Sequence, residues 1–278
     1  MSAHDGLAPA STRRRHRPRV IPVLLLKGEL LYKTVRFRDA KYVGDPRIAV
    51  KIFNDKGADE LVLLDILSTP ERTKPKFKLI EEIAGEAFMP VAYGGGIRDL
   101  NDINTILGLG IEKIIINTHA VENPHFVAEA ATQHGSSTVV VSIDSKRDFF
   151  RRPLVYTHGG RKRTRLSPMQ HARHMVDMGA GEIFVNSIDR DGTFSGYDLD
   201  LVKGVVDAVK VPVIACGGAG KLEELGAVVR ETGASAAAAG SLFVFQLPHR
   251  AVLVTFPSDE KLSELFGSAP KVLPNAHT

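Results

Sequence analysis

The chain has 278 residues, of which 44% are hydrophobic and 24% are charged, and its formal net charge is +4. These values are typical of a globular protein that is long enough to bury its own core, so disulfide staples are not needed. The one cysteine, Cys216, excludes an intrachain disulfide and suggests a reducing, cytoplasmic compartment. No apolar run approaches the roughly 18 residues of a membrane-spanning helix, so we expect no membrane contact.

The basic residues are concentrated at the start of the chain. Residues 1–19 contain five arginines, namely Arg13, Arg14, Arg15, Arg17 and Arg19. This segment lacks the apolar stretch of a secretory signal, and we interpret it as a disordered basic tail. Binding to nucleic acid or to an acidic partner is the alternative, but it would need a second basic patch nearby. We therefore expect no nucleic-acid partner.

Short β-branched segments alternate with longer segments of helical periodicity. The predicted strands are Val20–Leu26, Glu60–Ile66, Met89–Tyr93, Lys113–Asn117, Thr138–Ile143, Glu182–Asn186, Val211–Ala215 and Ser235–Ala239. The predicted helices are Pro46–Lys56, Pro75–Gly85, Asp99–Leu107, Pro124–Gln133, Pro168–Met178, Leu199–Val209 and Lys221–Glu231. At three helix starts, proline follows a possible capping residue: Asp45, Asn123 or Ser167.

Strands that alternate with helices indicate a parallel sheet, which is either open or closed. An open nucleotide-binding sheet would carry a glycine-rich turn after its first strand, but that strand ends in Leu25-Leu26-Lys27-Gly28. Eight even units favour a closed (β/α)8 TIM barrel over residues 20–245. Residues 246–278 then form a divergent C-terminal segment, because their β-branched run is poorly suited to a final helix.

The chain also contains an internal repeat at a spacing of four units. Tyr93-Gly94-Gly95-Gly96 follows the third strand, and Cys216-Gly217-Gly218-Ala219-Gly220 follows the seventh. Likewise, Asn117-Thr118 follows the fourth strand and Gly240-Ser241 follows the eighth. This pattern indicates a duplicated half-barrel.

The repeated motifs predict two phosphate-binding sites, because barrel active sites lie at strand C-termini and glycine lets the backbone approach a phosphate. The first cradle comprises Gly95, Gly96, Asn117 and Thr118. The second cradle comprises Asp191, Gly192, Gly217, Gly218, Gly240 and Ser241. The alternative is that these glycines only form tight turns. Two cradles across one barrel mouth would suit a long substrate with a phosphate at each end.

Charged side chains also follow the fifth strand. Asp144 ends this strand, where a carboxylate can act as a general acid or base; the alternative is an ion pair with Lys146 or Arg147. The loop beyond it carries Arg147, Arg151, Arg152, Arg161, Lys162, Arg163 and Arg165. These basic residues indicate either a solvated loop or an anionic ligand at the barrel mouth. By contrast, we interpret Asp65, at the end of the second strand, as structural.

Several motifs resemble the cyclase subunit of imidazole glycerol phosphate synthase, over about residues 19–245. They are Gly44-Asp45-Pro46, residues 59–66, Gly94-Gly95-Gly96-Ile97, Ile116-Asn117-Thr118, residues 187–193 and Gly217-Gly218-Ala219-Gly220. In that family, a glutaminase subunit docks on the N-terminal face of the barrel. Its ammonia passes through the barrel to a bisphosphorylated ribonucleotide at the C-terminal face, where two aspartates assist cyclisation and cleavage.

The resemblance implies roles for particular residues of this chain. Asp144 matches one catalytic aspartate, and Lys33 matches the lysine of a flexible first loop, Gly28–Gly44, that closes on the substrate. The residues that match the gate at the tunnel entrance are Arg19, Glu60, Lys113 and Glu182. We expect no metal and no cofactor.

One departure from the family lies on the first strand. The second catalytic aspartate is replaced by Leu25, which cannot titrate, so the two-carboxylate mechanism cannot run unchanged. Glu29, four positions further on, is the only nearby candidate to replace that aspartate. The simplest inference is that ammonia delivery is retained while the acceptor chemistry has changed.

Three hypotheses follow for the function. Divergent relatives with a similar Leu-Leu-Leu-Lys-Gly first strand occur in bacterial surface-sugar (lipopolysaccharide) pathways, where ammonia passes from a glutaminase-like partner to a sugar amidotransferase that modifies a nucleotide sugar. The first hypothesis is therefore an ammonia-dependent synthase or lyase subunit of this type. The second is the cyclase of histidine biosynthesis with an altered site. The third is a non-catalytic barrel that only conducts ammonia.

Overall fold

The computed structural model describes residues 17–267, which form a closed barrel of eight parallel strands. The strands are β1 (Arg19–Lys27), β2 (Leu61–Asp65), β3 (Val91–Gly94), β4 (Lys113–Ile116), β5 (Val139–Arg147), β6 (Glu182–Ser187), β7 (Val213–Cys216) and β8 (Ala236–Ala239). Each strand pairs in parallel with the next along the chain, and β8 pairs with β1. The predicted (β/α)8 barrel is therefore confirmed.

The helices surround the barrel in the order that the periodicity predicts. They are Pro46–Asp55, Ser68–Glu71, Phe77–Glu86, Leu100–Gly108, Thr118–Glu122, Pro124–His134, Pro168–Asp177, Leu199–Val206, Leu222–Thr232, Ser241–Val244 and Asp259–Phe266, with a 3-10 turn at Ser136–Thr138. Asp45 caps the first helix by accepting from the Arg47 N–H at 2.8 Å. Asn123 and Ser167 occupy the predicted N-cap positions of their helices, but their side chains make no capping hydrogen bond.

Two strands begin two residues later than predicted, and proline is the reason in both cases. β3 begins at Val91 rather than Met89, and β7 begins at Val213 rather than Val211. Pro90 and Pro212 precede these strands and have no N–H to donate. Each proline carbonyl still accepts a backbone bond from a neighbouring strand, at 2.9 and 3.0 Å respectively. The same irregularity four units apart agrees with the predicted half-barrel repeat.

The buried side chains form two layers that follow the alternation of the strands. On β1, Ile21, Val23 and Leu25 face the barrel interior, whereas Leu24 and Leu26 pack under the helices. The interior layer contains mostly apolar side chains from all eight strands. They are Ile21, Val23, Leu25, Val62, Ala92, Ile115, Val140, Phe184, Ile214, Cys216, Ala236 and Ala238. Polar side chains therefore concentrate at the two ends of the barrel.

Two β-hairpins extend from the C-terminal ends of the strands. The first joins Leu30–Val35 to Arg38–Gly44, so the segment that the resemblance describes as a flexible loop forms paired strands here. The second hairpin prolongs β5 to Arg147 and pairs it with Pro153–Thr157, which in turn pairs with Lys162–Arg163. The sequence prediction ended the fifth strand at Ile143 and missed this extension, because its polar residues carry no apolar alternation.

The structure describes only part of the two segments that flank the barrel. Residues 1–16, with Arg13, Arg14 and Arg15 of the predicted tail, and residues 268–278 lie outside the described part. Arg17 binds Asp59 at 2.5 Å and Asp259 at 2.8 Å, so the chain already belongs to the fold at this position. In the C-terminal segment, Phe245–Gln246 pairs with Ala251–Val252. The helix Asp259–Phe266 packs against Leu222–Thr232 and completes the outer layer.

Two glycine substitutions test this packing. A Cβ atom at Gly181 would lie 2.2 Å from the backbone oxygen of Ser136, which cannot move without shifting the chain. We expect Gly181→Ala to lower the free energy of unfolding by about 1–3 kcal/mol, as overpacking typically does. Gly85 lies in a helix with open space around it, so Gly85→Ala should raise that free energy by up to about 1 kcal/mol. Urea denaturation of both variants measures the difference, and equal effects would contradict the predicted close contact at Gly181.

Candidate functional site

The C-terminal ends of the strands surround a cavity of about 570 Å³. Inward-facing apolar side chains, such as Val23, Leu25 and Ile115, form its base. Residues of both hairpins line it from above. All four residues of the predicted first cradle, together with Lys33, Asp144 and Asp191, also line this cavity. The structure thus brings together residues that are up to 158 positions apart in the chain.

The first cradle requires glycine for close packing as well as for its turn. Gly95 and Gly96 have φ values of +118° and +75°, which disfavour residues with a side chain. A Cβ atom at Gly95 would lie 2.4 Å from the backbone oxygen of Asp65. The Asp65 carboxylate accepts bonds from the N–H groups of Leu67 and Ser68, at 2.9 and 3.0 Å, and so fixes the adjacent loop. This agrees with the structural role predicted for Asp65.

The residues of the second cradle gather around a separate, much smaller cavity of about 10 Å³. The glycines Gly217 and Gly218 have φ values of +92° and +110°, which match the pair in the first cradle. Lys33 fills the available space: a Cβ atom at Gly240 would lie 2.9 Å from its Cε. A cavity of this volume holds about one water molecule. A phosphate group can therefore bind there only if the Lys33 side chain moves.

Lys33 and Asp191 form a buried ion pair that joins the first hairpin to the second cradle. The Lys33 Nζ donates to Asp191 Oδ1 at 2.7 Å, and the Thr34 hydroxyl donates to Asp191 Oδ2 at 3.1 Å. Both side chains are less than a tenth exposed. The backbone N–H of Arg36 also donates to the Asp191 carbonyl at 2.8 Å. The hairpin therefore lies closed against the barrel mouth.

Asp144 lies in an environment that favours its protonated form. Burial raises the pKa of this carboxyl to about 7, and the nearby charge of Asp191 acts in the same direction. Asn117 donates to Asp144 Oδ2 at 3.2 Å, which lowers the pKa only in part. The alternative ion pair with Arg147 is wrong, because Arg147 binds Asp198 at 2.8 Å. A carboxyl that titrates near neutral pH can act as a general acid or base.

Leu25 lies in the same cavity as Asp144 and Asp191 and is 8% exposed. Its neighbour across the β1–β2 pairing is Leu64, which also lines the cavity. Glu29 lies exposed in the turn after β1 and does not line the cavity, so it does not replace the missing aspartate. The cavity thus has an apolar surface where the family has its second carboxylate.

The predicted gate residues meet at the opposite, N-terminal end of the barrel. Lys113 Nζ lies 3.1 Å from Glu60 and 2.9 Å from Glu182. Arg19 binds the same two glutamates through its two terminal nitrogens. Both carboxylates are almost fully buried, so each needs its two cations to offset the cost of desolvation. The four side chains form a closed ring of alternating charge below the apolar interior.

The structure places one of the basic residues that follow the fifth strand in the cavity. Of the seven residues in the loop after β5, only Arg161 lines the cavity, whereas Arg147 and Arg152 are paired with Asp198 and Asp148. The lining residues that the prediction missed include Arg38, Arg72, Arg98, Asn186 and Cys216. The positions of Asn186 and Cys216 at strand ends could have indicated those two residues. Burial raises the pKa of the Cys216 thiol, which keeps it protonated and a poor nucleophile.

The fold and the site together define the class of protein: a (β/α)8 barrel with paired glycine-rich loops at one end and a charged ring at the other. Over residues 17–267, no three His, Cys, Asp or Glu side chains are arranged to hold a metal ion. In the same part of the chain, no helix has the length and apolar character needed to cross a membrane.

Comparison with known proteins identifies the family. The family model for the histidine biosynthesis protein matches residues 19–247, and the chain belongs to this family. A Leptospira borgpetersenii protein named as imidazole glycerol phosphate synthase subunit HisF is 45% identical over 251 residues, which cover 90% of this chain and 99% of the relative. Pseudomonas aeruginosa subunit hisF2 is 48% identical over 88% of this chain and 98% of the relative. Vibrio vulnificus subunit hisF3 is 43% identical over 88% and 95%.

Two substitutions of neighbouring aspartates test the electrostatics of the cavity. The pKa of Asp144 is higher in the folded chain than in the unfolded chain. Its protonated carboxyl therefore contributes fully to the free energy of unfolding below about pH 4, and this contribution is lost as the pH rises through about 7. Asp144→Asn should therefore stabilise the protein at pH 8, by an amount on the order of a few kcal/mol. This gain should disappear towards pH 4.

The matched control is Asp191→Asn, which removes the anion that pairs with buried Lys33. It should destabilise the protein at pH 8, because a buried cation is left without its partner. Thermal unfolding of both variants at several pH values provides the measurement. A constant difference between Asp144→Asn and the parent across this range would show that Asp144 has an ordinary pKa.

Proposed function

We propose that this chain is the barrel subunit of a glutamine amidotransferase. In this proposal, ammonia enters at the N-terminal end and reaches a phosphorylated acceptor at the C-terminal end. The observation that carries the proposal is the arrangement along one axis: a charged ring, an apolar interior and a cavity lined by glycine-rich turns, Lys33 and arginines. The relatives named as synthase subunits support it.

The N-terminal end is suited to receiving ammonia from a glutaminase-type partner. Arg19 and Lys113 are 30% and 22% exposed, so the ring is reachable from outside although its carboxylates are buried. Side-chain movement of Lys113 would open a path between the two glutamates. The word subunit in the relatives' names also supports an assembly with a second protein.

The barrel interior favours neutral ammonia over ammonium. Its lining is apolar and includes the small side chains Ala92, Ala236 and Ala238. An unpaired ammonium ion would lose its hydration there at a high free-energy cost, whereas neutral ammonia loses much less. The interior would therefore deliver the uncharged nucleophile to the cavity.

At the C-terminal end, we propose that Asp144 acts as a general acid or base on the acceptor. The two cradles would hold phosphoryl groups, and Lys33 would move from its position beside Gly240 to neutralise the charge of the phosphate at the second cradle. Leu25 leaves Asp144 without a first-strand carboxylate partner, so we infer that the acceptor is not the histidine-pathway ribonucleotide. Because the first strand resembles that of relatives in surface-polysaccharide synthesis, we propose that the acceptor is a nucleotide sugar. A sugar amidotransferase would be the partner enzyme that modifies it.

The cyclase reaction of histidine biosynthesis is the second candidate. The names of the relatives favour it, and Asp191 supplies another carboxylate in the same cavity. However, Asp191 is engaged by Lys33 and Thr34. A purely conducting barrel is disfavoured by the buried Asp144, whose raised pKa suits proton transfer.

An assay of the cyclase reaction distinguishes these candidates. With added ammonium, this chain should convert the bisphosphorylated ribonucleotide at a rate about 10²–10⁴ lower than a family member that has both aspartates, because general acid–base assistance is typically worth that factor. Leu25→Asp should restore detectable activity, since Asp144 and Lys33 are present. Leu64→Asp, on the neighbouring strand of the same cavity, is the matched control and should restore none. A normal rate in the unmodified chain would establish the cyclase instead.

Complex formation tests the proposed partner. The unmodified chain should bind a glutaminase-type subunit encoded beside it at micromolar concentrations, as measured by analytical ultracentrifugation. Lys113→Ala should weaken this complex, because it removes a cation from the N-terminal ring. Lys203→Ala is the control, since Lys203 pairs with Asp207 on an outer helix and contacts no ring residue. Absence of any complex with the unmodified chain would contradict ammonia transfer.

A further inference from the structure

We propose that the mouth of the cavity contains a binding site for a diphosphate group, formed by Arg38, Arg72, Arg98 and Arg161. This inference goes beyond the proposed function, because it uses none of the cradle residues and requires no ammonia. It rests on where the four side chains lie, on their lack of partners and on the charge of the groups around them.

The four arginines come from four separate loops and line one cavity. Arg38 begins the second strand of the first hairpin, and Arg72 follows the short helix Ser68–Glu71. Arg98 lies between β3 and the next helix, whereas Arg161 lies in the turn of the second hairpin. They therefore surround the mouth on the side of β1 to β5, next to the first cradle.

The backbone of each arginine is held in place. The Arg72 N–H donates to the Thr69 carbonyl at 3.3 Å, and the Arg161 N–H donates to the Thr157 carbonyl at 3.1 Å. The Arg98 N–H donates to the buried carboxylate of Asp102 at 3.3 Å. Arg38 pairs with Val35 in the hairpin. These contacts fix the backbone positions from which the four arginine side chains extend.

The four guanidinium groups have no ion pair or hydrogen bond with any residue between 17 and 267. Other arginines of the chain, such as Arg17, Arg19 and Arg147, bind carboxylates. Unpaired arginines also occur on the outer surface, but these four are directed to one cavity. Since like charges at one mouth repel each other, an anion that binds among them removes an unfavourable interaction.

The carboxylates that line the cavity do not neutralise these charges. Asp191 is bound by Lys33, and Asp65 accepts bonds from its own loop. Glu122 lies 3.6 Å from His158 and 3.9 Å from Lys162. The remaining carboxyl groups of the cavity are those of Asp39 and Asp144, and burial favours the protonated form of Asp144. The mouth consequently carries an excess of positive charge.

The number and type of these side chains indicate the ligand class. A guanidinium group binds two phosphate oxygens at once through its planar fork of N–H donors. Four such groups on four loops exceed what one monophosphate can contact, but they match the oxygens of two linked phosphoryl groups. A diphosphate ester, whose charge exceeds that of a monophosphate, therefore fits the site best.

Titration calorimetry with inorganic pyrophosphate tests the proposal. The full-length chain should bind one pyrophosphate, and more tightly than it binds inorganic phosphate. The double variant Arg72→Gln/Arg98→Gln should weaken pyrophosphate binding at least about tenfold, because each hydrogen bond to a charged group is worth roughly that factor or more. Its affinity for inorganic phosphate should change much less. The matched control is Arg165→Gln/Arg173→Gln, which removes the same charge outside the cavity and should leave pyrophosphate binding nearly unchanged.

Two outcomes would contradict the proposed diphosphate site. One is equal affinity for pyrophosphate and phosphate in the unmodified chain; the other is an equal loss in both double variants, which would indicate a general effect of charge. Thermal unfolding verifies that both variants fold. Complex formation with the glutaminase-type subunit, measured on the same Arg72→Gln/Arg98→Gln protein, should persist. If pyrophosphate does not bind but the complex forms, only the diphosphate site is contradicted. If the complex does not form but pyrophosphate binds, only the proposed ammonia transfer is contradicted.

Discussion

Closure of the sheet by the pairing of β8 with β1 is the constraint on which the rest of the structure depends. Arg19 to Pro22 pair with Ala236 to Ala239 in parallel register, so no strand of the barrel is left with an unpaired edge. Closure forces alternate side chains into a narrow interior. Large and small residues share that space, and Phe184 lies in the same interior layer as Ala236 and Ala238. All strand C-termini then meet at one rim, where the cavity lies.

Because the interior is apolar, charged side chains lie at the two ends of the barrel. The two ends differ in how far these charges are paired with one another. At the N-terminal end, Glu60 and Glu182 are buried but each contacts two cations, so the charges balance locally. At the C-terminal end, Lys33 and Asp191 form one balanced pair. The rim arginines remain unbalanced in the described part of the chain. The first end is therefore a closed internal network, whereas the second has capacity for an external anion.

The cavity combines features that the family shares with features that depart from it. The glycine pair Gly95 and Gly96 lines the cavity together with Asn117, Asp144 and Lys33, as the family resemblance implies. Leu25 places an isobutyl group among these polar groups and removes a titratable partner for Asp144. The desolvation that surrounds Asp144 also raises its pKa, so a single carboxyl is poised for proton transfer near neutral pH.

The sequence by itself determined the barrel, the eight strands, the seven principal helices and the pairing of glycine motifs, because apolar periodicity and glycine conformation are local properties. The N-terminal ring was grouped through the family resemblance and the second cradle through the internal repeat, because the members of each are far apart in the chain. Only the tertiary structure decided which charged residues share a cavity. Arg147 and Arg161 are similar in sequence context, yet one binds Asp198 and the other lines the mouth. The hairpins, and the closure of Lys33 over Gly240, were likewise decided by cross-strand and long-range contacts that no local pattern contains.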